Sequence, residues 1–203
     1  MRYVITLLLL LLPSVCFGFG VGTVGSLGSG VVESGSSCTT GDVILGQDTP
    51  QEPVKLPLSA NDVSFVGPYT ATESCNISVI GTYVGSLRSG EFMTLGIYSN
   101  NGGVPGTKLR DTSSQEGSSI DMYYDVTLDS VYGLTSGDTY FLAMGVSAGT
   151  AYPTFDYTAD GSGTSVSIYT LVNAFTAGTL PADATGATLA DDTSEGTIYA
   201  TAE

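Results

Sequence analysis

The sequence predicts an all-β protein, a single antiparallel β-sandwich, and three observations carry that prediction. Short apolar runs alternate with polar residues at a period of two. Clusters of glycine, asparagine and proline separate those runs at roughly even intervals. Beyond the amino-terminal leader no stretch has helical periodicity. Composition agrees: of 203 residues 42 % are hydrophobic and 12 % charged, with 27 Gly, 12 Tyr and 7 Phe. So many aromatic residues argue for a packed chain rather than a disordered one.

Residues 1–18 have the layout of a secretory signal peptide. Arg2 supplies the positive start, residues 4–12 the apolar run, Pro13 its end, and Gly18 a small residue for cleavage. The run is shorter than the ~20 apolar residues that span a bilayer. A secreted or cell-surface product is expected, with no stable membrane insertion after cleavage. Residues 19–58 read as a Gly/Ser-rich linker and extended entry segment. An alternative use of that arm is a strand lent to a neighbouring copy, which would make the chain a self-assembling subunit of an extracellular filament or virion-like particle. Residues 59–203 form the sandwich domain.

Within the domain the strands follow in order. Residues 63–66 and 77–84 open the set, and Met93, Leu95 and Ile97 alternate with Thr94, Gly96 and Tyr98. Over residues 121–128, Met122, Tyr124, Val126 and Leu128 share one face, while Asp121, Tyr123, Asp125 and Thr127 share the other. That strand is expected to be half-buried. Residues 139–146, TYFLAMGV, are apolar on both sides and belong in the middle of a sheet. Val166, Ile168 and Thr170 keep the rhythm, and Ile198 with Ala200 closes it. Turns are expected at Gly67-Pro68, Ser89-Gly90, Asn101-Gly102-Gly103, Ser136-Gly137-Asp138 and Asp160-Gly161, with a second bend at Pro105-Gly106.

The charge balance narrows the partners. With 5 Lys+Arg against 20 Asp+Glu, the net charge is −15, which repels phosphate backbones and rules out nucleic acid as a partner. Cys16 leaves with the leader, so Cys38 and Cys75 remain as an expected disulfide in an oxidising compartment. Histidine is absent, which removes the usual base for a Ser or Cys nucleophile and most zinc sites. No carboxylate pair is marked as a glycosidase pair, and no enzyme activity is expected. Calcium is a possible cofactor: Asp156 and Asp160 flank a short stretch ending in Gly161, with Asp191, Asp192 and Glu195 as a second acidic group. The simpler reading of the same carboxylates is solvated turn residues, since neither stretch fits the EF-hand spacing. With no Trp in the chain, sugar stacking would fall to tyrosine, and Tyr123, Tyr152 and Tyr157 are the candidates, the last two in a loop around Pro153. Their other reading is cover for a strand surface. Asn76-Ile77-Ser78 matches a glycosylation acceptor.

The strongest local motif is residues 95–109, LGIYSNNGGVPGTKL. Tyr83-Val84-Gly85-Ser86 precedes it, and Leu134-Thr135-Ser136-Gly137-Asp138-Thr139-Tyr140-Phe141-Leu142-Ala143 follows. In this order the motifs resemble jelly-roll modules of secreted, cell-surface and phage virion proteins, over about residues 63–203. Those modules are similar to carbohydrate-binding and adhesive domains. The resemblance implies a jelly-roll sandwich and a non-enzymatic surface or adhesion role. Glycans or extracellular proteins would be the partners, met through the loops.

Overall fold

Alternation in residues 122–128 becomes a two-faced strand. Val126 and Leu128 are buried, while Tyr123, Asp125 and Thr127 face outward and are exposed. The computed structural model describes residues 38–48, 54–57, 59–117, 122–147, 154–157, 166–194 and 197–203, with 54–57, 154–157 and 191–194 described by backbone alone. Residues 1–37, which the sequence reads as a leader and the first part of a linker, lie outside the described residues.

Two antiparallel sheets face each other, and no helix forms among the described residues. The first contains β1 (Val43–Gly46), β2 (Val54–Pro57), β4 (Asn76–Val84), β8 (Met122–Gly133), β10 (Thr154–Tyr157) and β13 (Ile198–Ala202). Its order is β1-β13-β4-β10-β2, with β8 also paired to β4. The second contains β3 (Val63–Thr70), β5 (Phe92–Asn101), β6 (Val104–Asp111), β7 (Gln115–Glu116), β9 (Thr139–Val146), β11 (Val166–Leu171) and β12 (Thr188–Ser194). Its order is β12-β11-β3-β9-β5-β6, with β7 on β5. The protein is a β-sandwich.

The inner faces supply the core. Ile77, Ile80, Val84, Val126, Leu128, Ile198 and Ala200 from the first sheet meet Met93, Leu95, Ile97, Leu142, Met144 and Ile168 from the second. Burial of each large aliphatic side chain contributes about 1.5–3 kcal/mol. Strand β9 lies between β3 and β5 and is buried on both faces after Thr139, as its apolar run requires. Cys38 and Cys75 form a disulfide with Cα atoms 6.1 Å apart, tying the entry segment to the start of β4.

The two outer faces differ, and that difference locates the site. On the second sheet, Val63, Phe65, Tyr98, Phe141 and Ala143 form another apolar layer. Residues 172–187, the connection from β11 to β12, lie over it as a flap and contribute Phe175, Leu180 and Ala184. Tyr98 donates to the Pro181 carbonyl at 2.6 Å, and Asp62 accepts from the Asn173 amide at 2.8 Å. The outer face of the first sheet bears a tyrosine and carboxylate row instead.

Three boundaries differ from the sequence reading. The sandwich begins before residue 59: β1 pairs with β13 and buries Ile44 and Leu45, and β2 pairs with β10. Gly67-Pro68 is not a turn but a cis peptide inside β3, where pairing with β9 shifts register between Val66 and Tyr69. Pro105-Gly106 makes no second bend. It continues β6, and the hairpin turns on Gly102-Gly103 alone, with φ of 67° and 94°. Two successive positive φ values give the turn whose twist matches flanking strands.

Candidate functional site

On the outer face of the first sheet, register places side chains from neighbouring strands in one row. Ile198, Ala200 and Ala202 of β13 point into the core, so Tyr199 and Thr201 point outward. Tyr199 is opposite Gly81 of β4, and Gly81 is opposite Asp125 of β8. The Tyr199 ring lies across the glycine, and its hydroxyl donates to Asp125 Oδ1 at 2.5 Å. Only glycine permits this crossing. A Cβ at position 81 would come within 3.0 Å of both the Tyr199 ring and Asp125 Oδ1. Next along the strands, Tyr83 is opposite Tyr123, their rings edge-to-face with centroids 5.0 Å apart. The Tyr123 hydroxyl donates to the Asp48 carbonyl at 3.2 Å.

Tyr123, Asp125 and Tyr199 line a shallow depression of about 480 Å³, whose walls also include Asp48, Val79 and Thr201. Tyr123 is 40 % exposed and offers ring surface, whereas Tyr199 is only 7 % exposed and forms the floor. Burial pushes the Tyr199 phenol well above its ordinary pKa, and the hydrogen bond and charge of Asp125 push it further. Tyr199 therefore stays a neutral donor, and it fixes the orientation of the carboxylate beside the exposed ring. An exposed aromatic beside a fixed carboxylate can stack on one face of a small polar molecule and accept its hydroxyl protons.

The asparagine–glycine hairpin makes a second depression, of about 470 Å³, between residues 99–107 and 183–187. No aromatic ring lines it. Asp183 there is fully exposed, and hydrogen bonds from the Thr185 hydroxyl and amide hold its carboxyl below the usual range. The hairpin's work is to hold the flap: the Lys108 amide donates to the Ala182 carbonyl, and the Ala184 amide to the Gly106 carbonyl, each at 2.8 Å. Tyr169 adds a bond from its hydroxyl to the Gly103 carbonyl at 3.0 Å.

Of the residues singled out in the sequence, Tyr123 lies in the first depression. Tyr152 and Asp160 lie outside the described residues. Asp156 and Tyr157 are not in a loop: they belong to β10, paired with Lys55 and Val54 of β2. Of the two carboxylates read as calcium candidates, Asp156 thus sits in an extended strand, and Asp160 lies outside the described residues. Asp191 and Asp192 likewise fall on β12, and Glu195 lies outside the described residues. Among the described residues the cysteine–carboxylate grouping is Cys38, Glu73 and Cys75, and the disulfide leaves it no thiolate. Sequence reasoning missed Gly81, Tyr83 and Tyr199. Their signal was the alternation of β4 and β13, which marks them as outward-facing without naming their neighbours.

No helix among the described residues is long and apolar enough to cross a membrane. No protein-family model, curated protein or solved structure matches this chain.

Proposed function

We propose that the protein is an exported, non-enzymatic surface or adhesion module that binds glycans on the outer face of its first sheet. The observation that carries this reading is the exposed Tyr123 ring beside Asp125, which Tyr199 holds from across Gly81. Sugars combine an apolar ring face with hydroxyl edges, and an aromatic next to a carboxylate matches both. The other large outer surface is covered by the flap, so the reading moves recognition from loops to a sheet face. The leader-like residues 1–18 support export, and the absence of histidine supports binding without turnover. The test is retention on a glycan array. Wild-type protein is expected to retain a defined set of glycans, and Tyr123→Ala to lose them while keeping a cooperative thermal unfolding transition. Retention undiminished in Tyr123→Ala overturns the reading.

A further inference from the structure

Resting on that glycan reading, we infer that the site selects neutral, hydroxyl-rich sugars and rejects sialylated, sulfated or uronate-bearing ones. Three features of the depression carry the inference. Among the described residues its ionisable walls are the carboxylates Asp48 and Asp125 with the tyrosines, and no Lys or Arg is among them. Asp125 Oδ1 is committed to the Tyr199 hydroxyl, and Asp125 is exposed, so Oδ2 is presented to a ligand. An ionised carboxylate is acceptor-only, so its partner must bring a proton, as a sugar hydroxyl does and a sulfate or carboxylate does not. Two cations with described side chains are engaged away from the depression. Lys108 pairs with Asp111 at 2.7 Å, and Arg110 stacks over Tyr132 at 5.8 Å from the ring centroid. A net charge of −15 extends the same bias over the molecule.

Tyr199 is the positioning residue in this arrangement. By donating to Oδ1 it fixes that oxygen of the carboxylate, and Gly81 makes that reach possible. A hydroxyl pair on a sugar can then share Oδ2 while its ring lies against Tyr123. The bond to a charged acceptor is direct and requires no bridging metal ion.

The experiment measures binding of a neutral hexose oligosaccharide from the retained set, with its sulfated and uronic-acid counterparts, at low and high salt, with and without EDTA. The neutral sugar is expected to bind at least about tenfold more tightly at low salt, because the anionic ones meet unscreened like charge and no described cation to offset it. Added salt should narrow the gap, and EDTA should leave neutral binding unchanged. Asp125→Asn, which keeps an acceptor for Tyr199, should weaken neutral binding about tenfold or more and narrow discrimination against anionic sugars. Equal or tighter anionic binding, or neutral binding abolished by EDTA, overturns the inference while leaving glycan recognition standing. Retention of no glycan overturns both. The wild-type preference and its salt dependence decide the matter even where Asp125→Asn does not fold.

Discussion

Replacing Gly81 by valine tests the geometry on which the site depends. A Cβ at position 81 collides with the Tyr199 ring and with Asp125 Oδ1, so the ring must leave. Its departure forfeits the hydrogen bond to a charged acceptor, a loss of about 1.5–3 kcal/mol. Tyr199 also gives up part of its burial, where a full large side chain is worth about 1.5–3 kcal/mol. Valine's better fit to a strand returns up to about 1 kcal/mol. The expected net cost is about 2–4 kcal/mol, read as a lower urea midpoint with an unchanged m-value. The same substitution made in Tyr199→Ala removes the obstacle first, so the penalty should fall to near zero in that background. A Gly81→Val variant as stable as wild type refutes the crossing, as does a penalty of equal size in both backgrounds.

Four further outcomes follow from the same structure. Replacing both Cys38 and Cys75 by serine should cost about 4 kcal/mol in urea unfolding, the loop-closure value for a separation of 37 residues. Phe175→Ala, which empties a site only 2 % exposed beneath the flap, should cost about 3–5 kcal/mol. Amide exchange should then quicken over residues 172–187 more than in β4 and β8. Stability should also fall at alkaline pH, because burial raises the phenol pKa values of Tyr98 and Tyr199 in the folded state. Their contribution is complete below the unfolded value near 10 and declines as pH rises from there toward the raised folded values, by up to about 1.4 kcal/mol per pH unit for each group. Tyr98→Phe and Tyr199→Phe should each flatten that decline, as seen in unfolding midpoints across the range. Finally, Tyr123→Ala should change stability by no more than about 2 kcal/mol, since its ring is 40 % exposed and it loses the edge contact to Tyr83 and the hydrogen bond to the Asp48 carbonyl.

Local pattern by itself determined much of this protein. Alternation named Val126 and Leu128 as inner and Tyr123, Asp125 and Thr127 as outer residues of β8, though Met122, read on the inner face, is exposed. The double-sided run of β9 required a central strand, and the glycines at 102 and 103 located the hairpin. The pairing of Cys38 with Cys75 followed from there being three cysteines, of which Cys16 falls in the leader-like run. The signals that misled were local as well: Gly67-Pro68 and Pro105-Gly106 carry turn chemistry, yet sheet pairing draws both into strands. Only the tertiary structure decided which strands are neighbours. A period of two tells a residue its face but not its partner, because register between distant segments is set by how their apolar faces fit in the finished core. Tyr199 and Asp125 are 74 residues apart in the chain, and they meet because β13 and β8 both lie against β4 at the level of Gly81.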